Sequence, residues 1–460
     1  MSILLGFLVY LPSVLAGGLL IHQLWHGNQP ARLLIKFGLG AGLGLGLTSL
    51  LYFLELLIFN VQSGFLFIQL GLLALGLALA WKNRKQNPIF PFSEKITLTR
   101  LQKLLLSAFG ILVFISIGSY FVHALMNPHG GFDAWMIYNR TARFFYRGQT
   151  EWLTAFSPQI YWQFHADYPL FLSLNVAGAW NTLGAESMRA AQAHGAYMLI
   201  GIVCLLMGAV AFTRTTGQSL LAGLVLLGTP VFVYEGPREA ADLTLSFFVL
   251  ATVVLIFLYQ RKQKPILLAL AGFASGLAAW TKNEGLLFIF AVCLACAFIA
   301  FRLRNLKVII PFGLGIAFPG AVLLYFKIFL APANDLFANA SQTSLLQMLT
   351  DTNRYRLIFS EFIDHIIWFG RSHVSILAIL LIYMLIVKLA PRASDHTGYL
   401  ACALILAVQF FGYFAIYLVT PHDLDWHLRT SLGRLIMQLY PAALFLFFAS
   451  LTDPETVFAK

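Results

Sequence analysis

The chain reads as an all-α, polytopic bundle of transmembrane helices, and three observations lead there. Hydrophobic residues make up 59% of its 460 residues and charged ones only 11%, where an average soluble domain carries roughly 25%. Mean hydropathy is +0.79, and apolar runs of about 20 residues, the length that crosses a bilayer, recur from end to end. Lys and Arg gather in every second loop, the bias expected of cytoplasmic loops. Alternation and charge bias together predict about thirteen spans, with the N-terminus outside and the C-terminus in the cytoplasm. One integral membrane domain then covers residues 1–460: N-terminal spans in 1–125, a large extracytoplasmic loop in 126–187, and the remaining spans in 188–460. The net charge of +11 would suggest nucleic acid in a soluble protein. Here the charge bias of membrane topology accounts for much of it, and no nucleic-acid partner is expected.

In chain order, the first apolar run extends from Ile3 to Ile21. It lacks a basic n-region and a small-residue cleavage site, so it reads as a retained span. A basic loop with His26, Arg32 and Lys36 follows. The second span carries Gly38, Gly40, Gly42, Gly44 and Gly46, a spacing that admits close helix approach, with Glu55 near its far end as a satisfied polar group. A turn at Asn60 to Ser63 leads into a third span ending at Trp81. The next loop sets Lys82, Arg84, Lys85, Lys95, Arg100 and Lys103 against the single Glu94, and reads as cytoplasmic. The fourth span, Leu104 to Leu125, delivers residues 126–187 to the opposite side. Later cytoplasmic loops fall at Arg214, Arg261 to Lys264, Arg302 to Lys307, and Lys388 to Arg392. The four cysteines, Cys204, Cys293, Cys296 and Cys402, all lie in apolar runs and read as packing residues.

The polar residues that charge bias leaves unexplained fall on the outer side. The first group opens with Asn127-Pro-His-Gly-Gly-Phe-Asp133, where Pro128 and the glycine pair favour a turn and Asp133 stands where a helix can begin. Arg140, Arg143 and Arg147 then recur on one helical face, with Ile137, Thr141, Phe144 and Phe145 mostly on the other. Such a basic, aromatic helix suits the membrane interface. His165, Asp167 and Tyr168 follow in the same loop. The other groups are Tyr234 to Asp242, which holds Glu235, Arg238, Glu239 and Asp242; Trp280-Thr-Lys-Asn-Glu-Gly285, with Lys282 and Glu284; and Thr420 to Leu432, running on to Arg434. An ordinary account makes Asp133 a helix N-cap and the arginines headgroup anchors. Four ionisable clusters on one face argue instead for a site, because charge held at membrane depth is costly and marks substrate paths.

Three of these features together resemble the GT-C membrane glycosyltransferases. They are Gly-Gly-Phe-Asp-Ala-Trp in a long first outer loop, Trp-Thr-Lys-Asn-Glu-Gly directly after a span, and an Arg-bearing entry to a late span. The resemblance is to protein O-mannosyltransferases and to bacterial enzymes that place aminoarabinose or other sugars on lipid A and polysaccharides. The chain differs in carrying Asp133-Ala134 where the O-mannosyltransferases have paired acidic residues, in having no large soluble domain after the spans, and in placing extra spans before the loop. The resemblance implies a GT-C-like fold, a polyprenyl-phosphate-linked sugar donor, inverting transfer on the non-cytoplasmic face of a bacterial inner membrane, and Asp133 as the base or the group that positions the acceptor. Lipid, glycan or protein acceptors all stay open.

The chemistry of the residues agrees. Transfer from a lipid phosphate needs a group to take the acceptor's proton and cations to hold the departing phosphate. Asp133 suits the first role, and Lys282, Arg434, Arg429, Arg140 and Arg143 the second. Trp135, His165, Asp167, Tyr168, Glu235, Arg238, Glu239, Asp242 and Glu284 are candidates for binding substrate. No motif demands a cofactor. His422, Asp423, Asp425 and His427 have the chemistry of divalent-cation ligands, in a spacing that matches no familiar template. The competing class is a transporter or flippase of a lipid-linked sugar or an anion. It predicts internal repeats and charge near the bilayer midplane, whereas the sequence shows no repeat and places its charges at one boundary.

Overall fold

A computed structural model describes residues 3–27, 29–88, 97–160, 164–333, 342–371, 374–390 and 396–458. Glu94, Lys95 and Arg392, three charges of the expected cytoplasmic loops, lie outside the described residues. The described chain is helical throughout, without strands; an isolated bridge joins Leu389 and Leu451. The first fourteen helices are α1 (Ile3–Leu8), α2 (Leu11–Leu24), α3 (Pro30–Phe59), α4 (Phe65–Lys82), α5 (Arg100–Met126), α6 (Asn139–Arg147), α7 (Phe171–Leu183), α8 (Met188–Thr213), α9 (Thr216–Leu227), α10 (Pro230–Tyr234), α11 (Ala241–Lys262), α12 (Pro265–Thr281), α13 (Glu284–Leu303) and α14 (Ile309–Tyr325). After them come α15 (Gln342–Thr350), α16 (Thr352–Ile367), α17 (Ile376–Val387), α18 (His396–Val419), α19 (Leu424–Ser450) and α20 (Pro454–Phe458).

Ten segments among the described residues are helical, long and apolar enough to cross a membrane, and α9, α12 and α17 are shorter apolar helices. By length and composition the chain is a polytopic helical bundle with ten candidate spans among the described residues; the other three of the roughly thirteen expected apolar runs fall on the shorter helices. The first run is not one continuous helix, because Val9 and Tyr10 separate α1 from α2, whose first turn holds Pro12. The last outer loop is also shorter than the sequence suggests. Helix α19 already begins at Leu424, with the Asp423 side chain accepting from the Trp426 N–H at 2.8 Å.

Glycine explains how the bundle closes. Residues four apart share a helix face, so Gly40 and Gly44 form one stripe on α3 and Gly38, Gly42 and Gly46 another. The first stripe meets α2 so closely that a Cβ on Gly44 would lie 2.1 Å from the Ser13 carbonyl oxygen. The second meets Gly201 and Leu205 of α8, Phe247 of α11 and Leu277 of α12. Helix α3 is thus wedged between two layers. At the centre, the apolar window of α11 is wholly buried, whereas that of α5 is only 11% buried, with Phe114 and Ile111 facing outward. A helix apolar all round and packed on one side suits a lipid surround.

The bundle has two chemically distinct ends. At one, Trp152 donates to the Asn60 side chain at 2.8 Å and Gln62 to the Gln149 carbonyl at 2.8 Å, joining the 60–63 turn to the 126–187 segment. At the other, Asn87 donates to the His22 carbonyl, Arg214 to the Ala449 carbonyl, and Gln102 to Glu455. These pairings match the alternation of loops expected from the sequence.

Candidate active site

The Gly130-Gly131 turn shows why glycine stands there. Gly130 has φ +76°, and a Cβ on it would lie 3.0 Å from the Arg238 carbonyl oxygen; that same carbonyl accepts from the Gly131 N–H at 2.8 Å. The 127–131 turn is thereby stitched to the 234–240 loop. The chain then winds into helix, but Asp133 does not cap it: its backbone is already helical and its side chain makes no cap bond. Ala134–Tyr138 form a π-helical turn that continues into α6, so residues 133–147 are helical as the arginine spacing predicts.

Asp133 turns to Arg434 of α19, whose guanidinium donates to its Oδ2. From there a continuous network crosses the bundle. Arg434 lies 3.6 Å from Asp242 Oδ2, and Lys282 donates to Asp242 Oδ1 at 2.9 Å and pairs with Glu284 at 2.8 Å. Gln438, one turn after Arg434 and so on the same face, donates to Asp242 Oδ1 at 2.6 Å. Tyr413 donates to the Gln438 amide oxygen, and Gln409 donates to Tyr413 and to the Glu284 carbonyl. Asp242 is fully buried and Lys282 5% exposed, while Asp133 and Arg434 retain 22% and 29% of their side-chain surface. The network therefore runs from an accessible acid to a buried ion pair. Burial opposes the charge on Lys282, but Asp242 and Glu284 overcome it and hold the ammonium well above its ordinary pKa.

A second branch starts one residue on. Asn283 donates to Asp167 at 2.8 Å, and Lys327 donates to the Asn283 side-chain oxygen and the Asp167 carbonyl, each at 2.6 Å. Lys327 sits on another π-helical turn, Phe326–Leu330, at the end of α14. His165 stacks on Tyr168 with ring centroids 4.5 Å apart. Beside Asp133, Phe132 and Trp135 meet edge to face at 5.2 Å and stay half exposed, an open aromatic shelf.

The 234–240 loop lines the other side. Arg238 donates to the Tyr234 hydroxyl at 2.6 Å and lies 3.7 Å from Glu235. Glu239, at φ +59°, accepts from Asn139 at 2.7 Å. Burial pushes the Glu235 carboxyl up, and pushes that of Glu239 up to about 8 against the pull of Asn139 and Arg143. Near neutral pH, Glu239 is thus largely an uncharged acid.

The remaining predicted cations are engaged elsewhere. Arg143 and Arg147 both pair with Glu186, Arg143 at 3.1 Å, and hydrogen bonds from Arg147 and then Arg143 hold that carboxyl below its ordinary pKa. Arg140 donates to the Phe164 carbonyl and lies over that ring, and burial lowers its guanidinium to about 10. Arg429 pairs with Asp425 at 2.5 Å on an exposed turn of α19. It stands five residues before Arg434, about 140° around the helix. Among the described residues no three His, Cys, Asp or Glu side chains converge as metal ligands. In the 422–427 segment, Asp423 caps α19, Asp425 pairs with Arg429, and His427 meets the Thr420 hydroxyl at 3.0 Å.

Sequence reasoning missed Lys327, Asn283, Gln438, Tyr138 and Glu186. A signal existed for Lys327, the lone charge in the apolar run 308–330. No local signal marks Gln438 or Tyr138, which matter only through what α11 and α12 bring to them. A cavity of about 520 Å³ lined by Arg302, Arg304, Asn305 and Leu306 lies at the opposite end of α13, about 30 Å from Glu284 at 1.5 Å rise per residue. Compared with family models, curated proteins and solved structures, the chain matches none.

Proposed function

We propose that the protein is a membrane glycosyltransferase that moves a sugar from a polyprenyl-phosphate-linked donor to an acceptor hydroxyl. The reading places the site end on the periplasmic face of a bacterial inner membrane. It is supported above all by one observation: an accessible carboxylate, Asp133, is joined through Arg434 to a buried Asp242–Lys282–Glu284 core that ties together all four polar segments. Arg434 engages Oδ2, and Oδ1 takes no hydrogen bond from the described residues.

In the reaction, the acceptor oxygen attacks the anomeric carbon from the face opposite the phosphate, and its proton passes to Asp133. The sugar–phosphate C–O bond breaks, its electron pair leaving on the polyprenyl phosphate, so one displacement inverts the anomeric centre. Arg434, near the surface, can balance the phosphate's charge. Lys282 already has two carboxylate partners, and in this reading it fixes Asp242 and through it the orientation of Arg434. Phe132 and Trp135 offer apolar faces to a sugar or a lipid tail.

The test is sugar transfer by purified protein in liposomes, wild type against Asp133→Asn. The amide keeps the side chain's size and can still accept from Arg434, so the unfolding midpoint should stay near wild type. Loss of a general base should slow transfer about 10²- to 10⁴-fold. Full activity in the Asn variant would remove Asp133 from the chemistry. The alternative, transport of a lipid-linked sugar or an anion, draws support from the burial of the Asp242–Lys282 pair inside the bundle. It predicts no transfer by wild type from any polyprenyl-phosphate sugar, with movement of the substrate across the bilayer instead.

A further inference from the structure

Tyr138 is 1% exposed, yet its hydroxyl has no hydrogen-bond partner among the described residues. A buried hydroxyl left unsatisfied is costly, and native proteins rarely tolerate one without a reason. Its neighbourhood is that of the site: Lys282, Asp133, Tyr168 and Asp242 all act on it electrostatically. Burial holds the phenol well above its ordinary pKa, so it remains a proton-bearing donor.

Local backbone geometry explains how it comes to lie there. Around an α-helix, residues 133 and 138 would stand about 140° apart. The Ala134–Tyr138 segment is instead a π-turn, in which bonds run from i to i+5 and residues five apart return toward one face. Such turns are uncommon and recur at functional sites. This one brings Asp133 and Tyr138 to the same side, and a second carries Lys327 in the adjoining branch of the network.

We infer that the Tyr138 hydroxyl is a substrate ligand, donating a hydrogen bond to a phosphate oxygen of the lipid-linked donor at the edge of the Asp133–Lys282 array. The assignment rests on the glycosyltransferase reading and adds to it the group that recognises the phosphoryl end. A neutral donor complements the cations of the array, because the charge of Arg434 is already shared between Asp133 and Asp242 and that of Lys282 between Asp242 and Glu284.

The experiment compares wild type with Tyr138→Phe in detergent, using two probes, a short-chain polyprenyl monophosphate and the matching polyprenol. The variant should bind the monophosphate about 10- to 100-fold more weakly, the effect of losing a hydrogen bond to a charged group. Polyprenol binding should not change. The ligand-free variant should unfold at the same temperature as wild type or higher, since it loses an unsatisfied group and no partner. Equal weakening for both probes, or a lower unfolding temperature, would make the hydroxyl a packing or structural element and overturn the assignment. Wild-type monophosphate binding matched by the variant would overturn the tyrosine's role alone. Failure of wild type to bind the monophosphate would overturn this inference and the functional reading together.

Discussion

At the site end, Lys282 lies between Asp242 and Glu284, and Arg434 reaches both Asp133 and Asp242. At the other end, Arg302, Arg304 and Lys307 are exposed and have no carboxylate partner among the described residues. Several cations there donate to backbone carbonyls: Arg214 to Ala449 at 2.7 Å, Arg261 to Thr213 at 3.3 Å, and Lys36 to Gly27 at 2.7 Å. Ala449 and Thr213 lie in the last turns of their helices, where orphan carbonyls and the helix dipole favour positive charge. The same residue types therefore do opposite work. One end keeps a net positive surface of the kind that orients a membrane protein. The other cancels its charge internally, leaving a fixed, nearly neutral array whose acidic edge stays accessible. Charge count alone does not distinguish these roles; the partner does.

The sharpest way to break the contrast is to remove the carboxylate at the centre of the array. Asp242→Asn leaves Lys282 with one acidic partner and loosens Arg434. Breaking a buried ion pair costs about 3–5 kcal/mol, so the unfolding midpoint in detergent should fall well below wild type and transfer should disappear. A midpoint within error of wild type would mean that the array is not a cohesive unit.

A smaller effect should appear in the pH dependence of stability. Glu239 ordinarily titrates near 4.5, but burial raises it to about 8 in the folded protein. Below 4.5 both states hold the proton. Between about 4.5 and 8 only the folded state does, so this group's contribution to stability falls as pH rises through that window and is lost above it. Glu239→Gln preserves an acceptor for Asn139 without a titrating proton, and its unfolding midpoint should decline less from pH 5 to pH 8. Parallel curves for the two proteins would show that Glu239 titrates normally.

The smallest effect belongs to the basic end. Arg302→Ala with Arg304→Ala removes two exposed cations, and the unfolding midpoint and donor transfer should both match wild type. Any loss of transfer would show that this end also takes part in the chemistry.

The fold class was legible because a bilayer imposes a one-dimensional rule. Apolar runs of sufficient length must be helical, with every backbone group satisfied inside the segment, and composition alone reveals them. The glycine spacing on α3 and the gathering of Asp133, Asp242, Lys282 and Arg434 at one end were equally readable, since Gly38 to Gly46 and the loop charges each carry their meaning locally. Asp133 and Lys282 could be singled out as well, because ionisable groups at membrane boundaries are rare in so apolar a chain. Which of the other candidates each would pair with could not. Arg434 lies 301 residues from Asp133 and Gln438 lies 196 from Asp242, and no periodicity links such positions. Nor did the sequence reveal that Arg143 and Arg147 would be claimed by Glu186, or that Lys282 would be enclosed by two acids. It also gave no sign of the π-turn that swings Tyr138 toward Asp133. Local sequence determines where a helix forms and which side of it is polar. Which charge finds which counter-charge depends on how the helices pack, because an ion pair's energy depends on distance and burial, and only the assembled bundle sets both.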